Sequence, residues 1–235
     1  MLRSSAITIL LVSLVVIFSS CDREDPGPLQ EKRKSYSVVD FDRLDIGSAL
    51  NIQVEQGNVY SVEAKGDRRN IDDLEVSKHG NTLSIRFDDE GERRHDTYIY
   101  ITMPSLSSAN FSGASSSKIR GFDSTDDLDL YLSGASVSQL DASYSNVNTT
   151  ATGASKLVLF GSAVKLNAEL SGASSIKAFD FHVNDADIVL SGASDGQVSV
   201  SGNLNVKATG ASILIYRGNP AVEVETSGAS EVKRD

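Results

Sequence analysis

Ser171-Gly172-Ala173-Ser174 is one of seven copies of a phrase in which Ser or Thr is followed by Gly-Ala-Ser. The glycines of the copies are Gly113, Gly134, Gly153, Gly172, Gly192, Gly210 and Gly228, giving steps of 21, 19, 19, 20, 18 and 18 residues. Recurrence at a near-constant length marks a solenoid, because one unit cannot bury its apolar side until another stacks on it. Outward from Gly172, residues two, four and six positions earlier are Leu170, Ala168 and Leu166, with Asn167 and Glu169 between them. The copy at Gly192 gives Leu190, Ile188 and Ala186, and the last copy gives Thr226, Val224 and Val222. Alternation with a period of two is the pattern of a strand with one buried face. A second alternating run follows each phrase, as in Leu157 and Leu159, Ile176 and Ala178, or Leu214 and Tyr216.

Two strands joined at a corner and repeated every nineteen residues or so predict an all-β fold. Its form is a single-domain parallel β-helix whose equivalent strands pair about 4.8 Å apart. Glycine fits the corner because a sharp bend there calls for a positive φ, which costs a residue bearing a Cβ about 1–2 kcal/mol. Alanine is expected to sit at a tight inner corner. The hydroxyls of Ser112, Ser133, Thr152, Ser171, Ser191, Thr209 and Ser227 are expected to stack as a hydrogen-bonded ladder, a structural role in preference to a catalytic one.

The N-terminus reads as a targeting segment. Arg3 precedes an apolar run over residues 6–18, too short to span a bilayer comfortably, and the run leads into Ser19-Ser20-Cys21. Residues 1–20 resemble a bacterial lipoprotein signal peptide, which implies lipidation of Cys21 and anchoring of the mature chain in the cell envelope, with the outer membrane expected. Cys21 is the only cysteine, so no disulfide can form within one chain. Residues 21–35, with Pro26, Gly27 and Pro28, read as a flexible tether. The acidic residues of 22–25 resemble a surface-export signal in some Gram-negative groups and an inner-membrane retention signal in enteric bacteria, so the membrane face stays open.

Residues 36–235 are enough for one sizeable core. Lys and Arg number 22 against 32 Asp and Glu, a net charge of −10 that repels phosphate backbones and argues against nucleic-acid binding. Residues 36–104 form a non-repeating β-rich cap over the first turn. Within it, Gly47-Ser48-Ala49 with Leu50, Ile52 and Val54 reads as a degenerate early turn of the solenoid. The sequence around Gln56-Gly57-Asn58 predicts a hairpin between residues 51–55 and 60–64, and a helical turn is expected near residues 70–74. His79-Gly80-Asn81 reverses the chain into the strand at residues 82–87.

Several stretches together resemble the auto-transporter adhesin "head GIN" domain family. They are the opening at residues 36–47, Asn51-Ile-Gln-Val-Glu-Gln-Gly57, Asn81-Thr-Leu-Ser-Ile85, Ile101-Thr-Met-Pro104 and the Ser-Gly-Ala-Ser repeats. The similarity spans residues 36–233. It implies a β-helical fold and an envelope location of the kind found in Bacteroidetes lipoproteins, and carries over no catalytic residue and no cofactor.

Chemistry could reside in three places. Asp129, Asn148, Asn167, Asp187, Asn205 and Glu223 lie five residues before successive glycines and predict an outward ladder, either a solvated face or oxygen ligands for calcium or a glycan. His79, His95 and His182 lack metal-ligand spacing and read as loop residues. Asp180, Asp185 and Asp187 are the nearest approach to the carboxylate pair of a glycan-cleaving enzyme, without an arginine beside them in sequence. The reading that follows is a non-enzymatic envelope lipoprotein that binds a glycan or another envelope protein. A glycan-processing β-helix enzyme and a purely structural spacer are the alternatives.

Overall fold

The computed structural model describes residues 27–89, 91, 93 and 95–235. The signal segment, Cys21 and the start of the tether lie outside them. The chain order is β1 (Glu31–Tyr36), β2 (Arg43–Ile46), β3 (Asn51–Gln56), β4 (Ser61–Asp67), α1 (Arg68–Asp72), β5 (Leu74–His79), β6 (Thr82–Phe87) and β7 (Tyr98–Met103). Then follow β8 (Ser108–Phe111), β9 (Ser116–Asp123), β10 (Asp127–Leu132), β11 (Val137–Ala151), β12 (Lys156–Leu170), β13 (Ser175–Leu190) and β14 (Asp195–Ala208). The last three strands are β15 (Ile213–Gly218), β16 (Ala221–Thr226) and β17 (Glu231–Arg234).

These strands form a parallel β-solenoid with two walls. One wall runs β5-β6-β2-β8-β10, continues through the C-terminal halves of β11 to β14, and ends at β16. The other runs β1-β4-β7-β3-β9, continues through the N-terminal halves of β11 to β14, and ends at β15 and β17. The four long strands bend from one wall into the other, so each lap hydrogen-bonds to its neighbours around most of its circuit. Equivalent residues stay in register: Leu83, Leu44, Ala109, Leu130, Thr149, Ala168, Ile188 and Val206 form one inward column. All are buried except for traces of surface, so the column forms part of one continuous core along the solenoid.

Each corner is closed by its own sequence. The seven glycines have φ between 63° and 80°. From Ala154 onward, the alanine N–H donates to the glycine carbonyl of the previous lap, at 2.7 Å from Ala173 to Gly153. That approach is so close that a Cβ on Gly172 would stand 2.5 Å from the Gly153 oxygen. Glycine is thus fixed by contact as well as by φ.

Two expectations about the corner need correction. The alanines are exposed on the outside of the bend, because the hydrogen bond requires only their N–H. The hydroxyls preceding the glycines do not bond to one another; those of Thr152, Ser191 and Thr209 donate to a carbonyl of the lap before at 3.3–3.5 Å. The buried ladder is made by the fourth residue of the phrase. Ser115, Ser136, Ser155, Ser174, Ser194 and Ser212 are sequestered, and each donates to the carbonyl three residues earlier at 2.7–2.9 Å.

The cap also departs from expectation. β3 and β4 are not a hairpin, since both edges of β3 are taken by parallel partners, β7 and β9, and β4 pairs antiparallel with the far side of β7. The early turn is real: β2 pairs with β8 and β3 with β9, and Ala49 N–H donates to the Gly113 carbonyl. The lap beyond it in space is β6 and β7, supplied by later sequence. β5 and β6 form the hairpin at Gly80, and the helical turn falls at α1. The stretch read as tether is shorter than expected, because residues 31–35 belong to β1, which pairs antiparallel with β4 along six residue pairs. Its polar composition hid a strand whose side chains face water on an edge.

At the other end, Val222 and Val224 are 41% and 43% exposed. They occupy the inward columns as expected, and no described lap stacks over them.

Candidate functional site

The outward ladder exists in the predicted register. Asp129, Asn148, Asn167, Asp187, Asn205 and Glu223 stand side by side across six strands. Asn148 Nδ2 donates to Asp129 Oδ1 at 2.8 Å, Asn167 Nδ2 to Asn148 Oδ1 at 2.7 Å, and Asn205 Nδ2 to Asp187 Oδ1 at 2.7 Å. An amide supplies both a donor and an acceptor, so stacked asparagines at strand spacing satisfy each other. Lys165 Nζ meets Asp187 Oδ2 at 2.5 Å.

A parallel column two residues earlier was not singled out in the sequence: Asp127, Asn146, Lys165, Asp185 and Asn203. Asn146 donates to Asp127 at 2.6 Å and Asn203 to Asp185 at 2.7 Å. The same offset count from each glycine finds this column, seven residues before instead of five.

Electrostatics follow from these contacts. Asp187 is held below the usual carboxylate range by Lys165 first and Asn205 second. Asp185 is lowered by hydrogen bonds from Asn203 and then Asn184. A general acid for glycoside cleavage needs its pKa raised, so these two aspartates are tuned in the opposite direction. They also share one strand face, two residues apart. Among the described residues, no group of three or more His, Cys, Asp and Glu side chains is placed to hold a metal ion.

The histidines sit in three different settings. His79 ends β5, His95 lies 3.3 Å from the Gly27 carbonyl and 3.9 Å from Asp67, and His182 lines a surface groove on β13.

That groove comes from unequal laps. The step from Gly172 to Gly192 is 20 residues and the next is 18, and between β13 and β14 the register jumps from Ala178 paired with Val198 to His182 paired with Ser199. Residues 179–181 therefore bulge from the longer lap, leaving a hollow of about 590 Å³. Ser199 Oγ donates to the Phe179 carbonyl at 2.7 Å and fixes the bulge. Arg217, absent from the sequence neighbourhood of Asp180, is brought there by stacking: its guanidinium lies 3.9 Å from the centroid of the Phe179 ring, and its Nε donates to Asp235 at 2.7 Å.

Parallel stacking, glycine corners and an antiparallel cap define the chain as a capped parallel β-solenoid. It belongs to the family described as "Putative auto-transporter adhesin, head GIN domain", which matches residues 40–220. Solved structures share the fold. A putative adhesin from Bacteroides fragilis is 21% identical with a TM-score of 0.79, covering 88% of this chain and 97% of that one. A putative adhesin from Parabacteroides distasonis is 17% identical with a TM-score of 0.73, covering 89% and 98%. A protein from the same organism named a putative lipid binding protein is 16% identical with a TM-score of 0.71, covering 87% and 96%. Among curated proteins nothing matches.

Proposed function

We propose that this chain is a non-enzymatic, adhesin-like binding module of the bacterial cell envelope, carried as a lipoprotein on Cys21 and directed to the outer membrane. The observation that supports it most directly is the flat outer wall of β10 to β16, where amides and carboxylates repeat at strand spacing. Such a face offers many equivalent hydrogen-bonding positions to an extended glycan or to another envelope protein. Each contact is weak, and their number supplies the affinity.

Full-length chain immobilised through its C-terminus and exposed to envelope extract is expected to retain a glycan or protein without altering it. Reducing ends or unsaturated sugars in the flow-through would refute the non-enzymatic reading. Retention lost on substitution of Asn148 and Asn167 by lysine would place the contact on the ladder.

A further inference from the structure

We propose that the groove between the bulge of β13 and the start of the next two laps is a binding site for a neutral pyranoside of a glycan chain. The inference rests on the binding-module reading above and names the ligand class for one defined place. A hollow of about 590 Å³ lies within the range of small-ligand sites. Its lining combines apolar side chains with polar groups, which suits the C–H faces and the rim of hydroxyls of a sugar ring.

Phe179, half-buried, and buried Val183 supply the apolar walls. The polar groups retain unused capacity. Among the described residues, no hydrogen bond reaches the Asp180 carboxylate or the His182 ring, and Asn184 uses only its Nδ2, donating to Asp185 at 2.9 Å. Arg217 is set in orientation by the Phe179 ring and Asp235, and its two terminal nitrogens take no partner among the described residues. Donors (Arg217) and acceptors (Asp180, Asn184) thus line one hollow, the combination that vicinal hydroxyls satisfy in pairs.

Charge selects the neutral sugar. The guanidinium is offset by Asp235, Asp180 adds a second carboxylate to the groove, and the whole chain carries −10. A polyuronate or a phosphorylated glycan meets net repulsion there.

The test uses the full chain in detergent, with biolayer interferometry against immobilised neutral hexaoses of glucose, mannose and galactose and against a galacturonate hexamer. At least one neutral hexaose is expected to bind, and both Phe179→Ala and the exposed Asp180→Asn are expected to weaken it by about tenfold or more. Glu75→Gln, exposed on cap strand β5 outside both the ladder and the groove, is expected to leave that binding unchanged. Preference for the galacturonate, binding untouched by both groove variants, or binding by none of the four probes overturns the proposal. If the hexaose assay fails in any of these ways while the parent chain still retains a partner from envelope extract, the groove fails and the broader binding reading stands.

Discussion

A methyl group at Gly172 would meet the Gly153 carbonyl oxygen at 2.5 Å, whereas one at Gly80, also at positive φ, would meet nothing within 4 Å. The two positions separate conformational strain from steric contact. Gly80→Ala should cost about 1 kcal/mol from φ alone, and Gly172→Ala about 2–4 kcal/mol because a lap must also shift. Equal losses by urea denaturation would contradict the stacked corner. Thr149 makes the opposite case. Its hydroxyl is buried in an inward column with no partner among the described residues, between Leu130 and Ala168. Thr149→Val keeps the shape and removes the orphaned polar atom, so it should raise stability by about 1 kcal/mol, seen as a higher Tm.

Among the elements, β1 and α1 lock the N-terminal segment onto the cap through Asp67. This carboxylate is fully buried, caps α1 by accepting from the Arg69 N–H at 3.0 Å, takes the Arg69 guanidinium at 2.7 Å, and accepts from the Gln30 N–H at 3.1 Å. The Arg69 side chain first, and the two backbone donors after it, hold Asp67 well below the usual carboxylate range. A lowered folded-state pKa gives stability that is fully present above the unfolded value of about 3.9 and is lost as pH falls toward the folded value. Asp67→Asn should therefore be less stable than the parent by at least about 1 kcal/mol at neutral pH. The gap should narrow in thermal melts taken from pH 5 down to pH 2. A gap independent of pH would show that the carboxylate's charge is not what locks the cap. Along the ladder, Asn148 joins Asp129 to Asn167, and Asn148→Ala should cost about 1 kcal/mol by breaking both links.

For the whole molecule, the two ends of the solenoid differ. One is covered by antiparallel β1, β4 and β5; at the other, the inward valines of β16 are open. β1, which follows Cys21 in sequence, lies at the covered end. Under the lipoprotein reading, Cys21→Ser should abolish partition into the detergent phase of a phase-separation assay and leave the melting temperature of the domain unchanged. Persistent partition would remove Cys21 as the anchor.

The lap length, the strand alternation, the glycine corners and the outward ladder were legible in the sequence, because each is a local period that recurs and every lap repeats the same steric demand. Asn148 and Asn167 could be paired by counting from their glycines. Phe179 and Arg217, 38 residues apart, could not, since their contact depends on how a 20-residue lap seats against an 18-residue one. The cap hid more. That β6 lies beside β2, and that β4 takes the far edge of β7, was decided by which strand edges remained unpaired once the laps had stacked. Edge pairing of this kind is a non-local competition for backbone hydrogen bonds, and no residue in β1 or β4 carries its outcome alone.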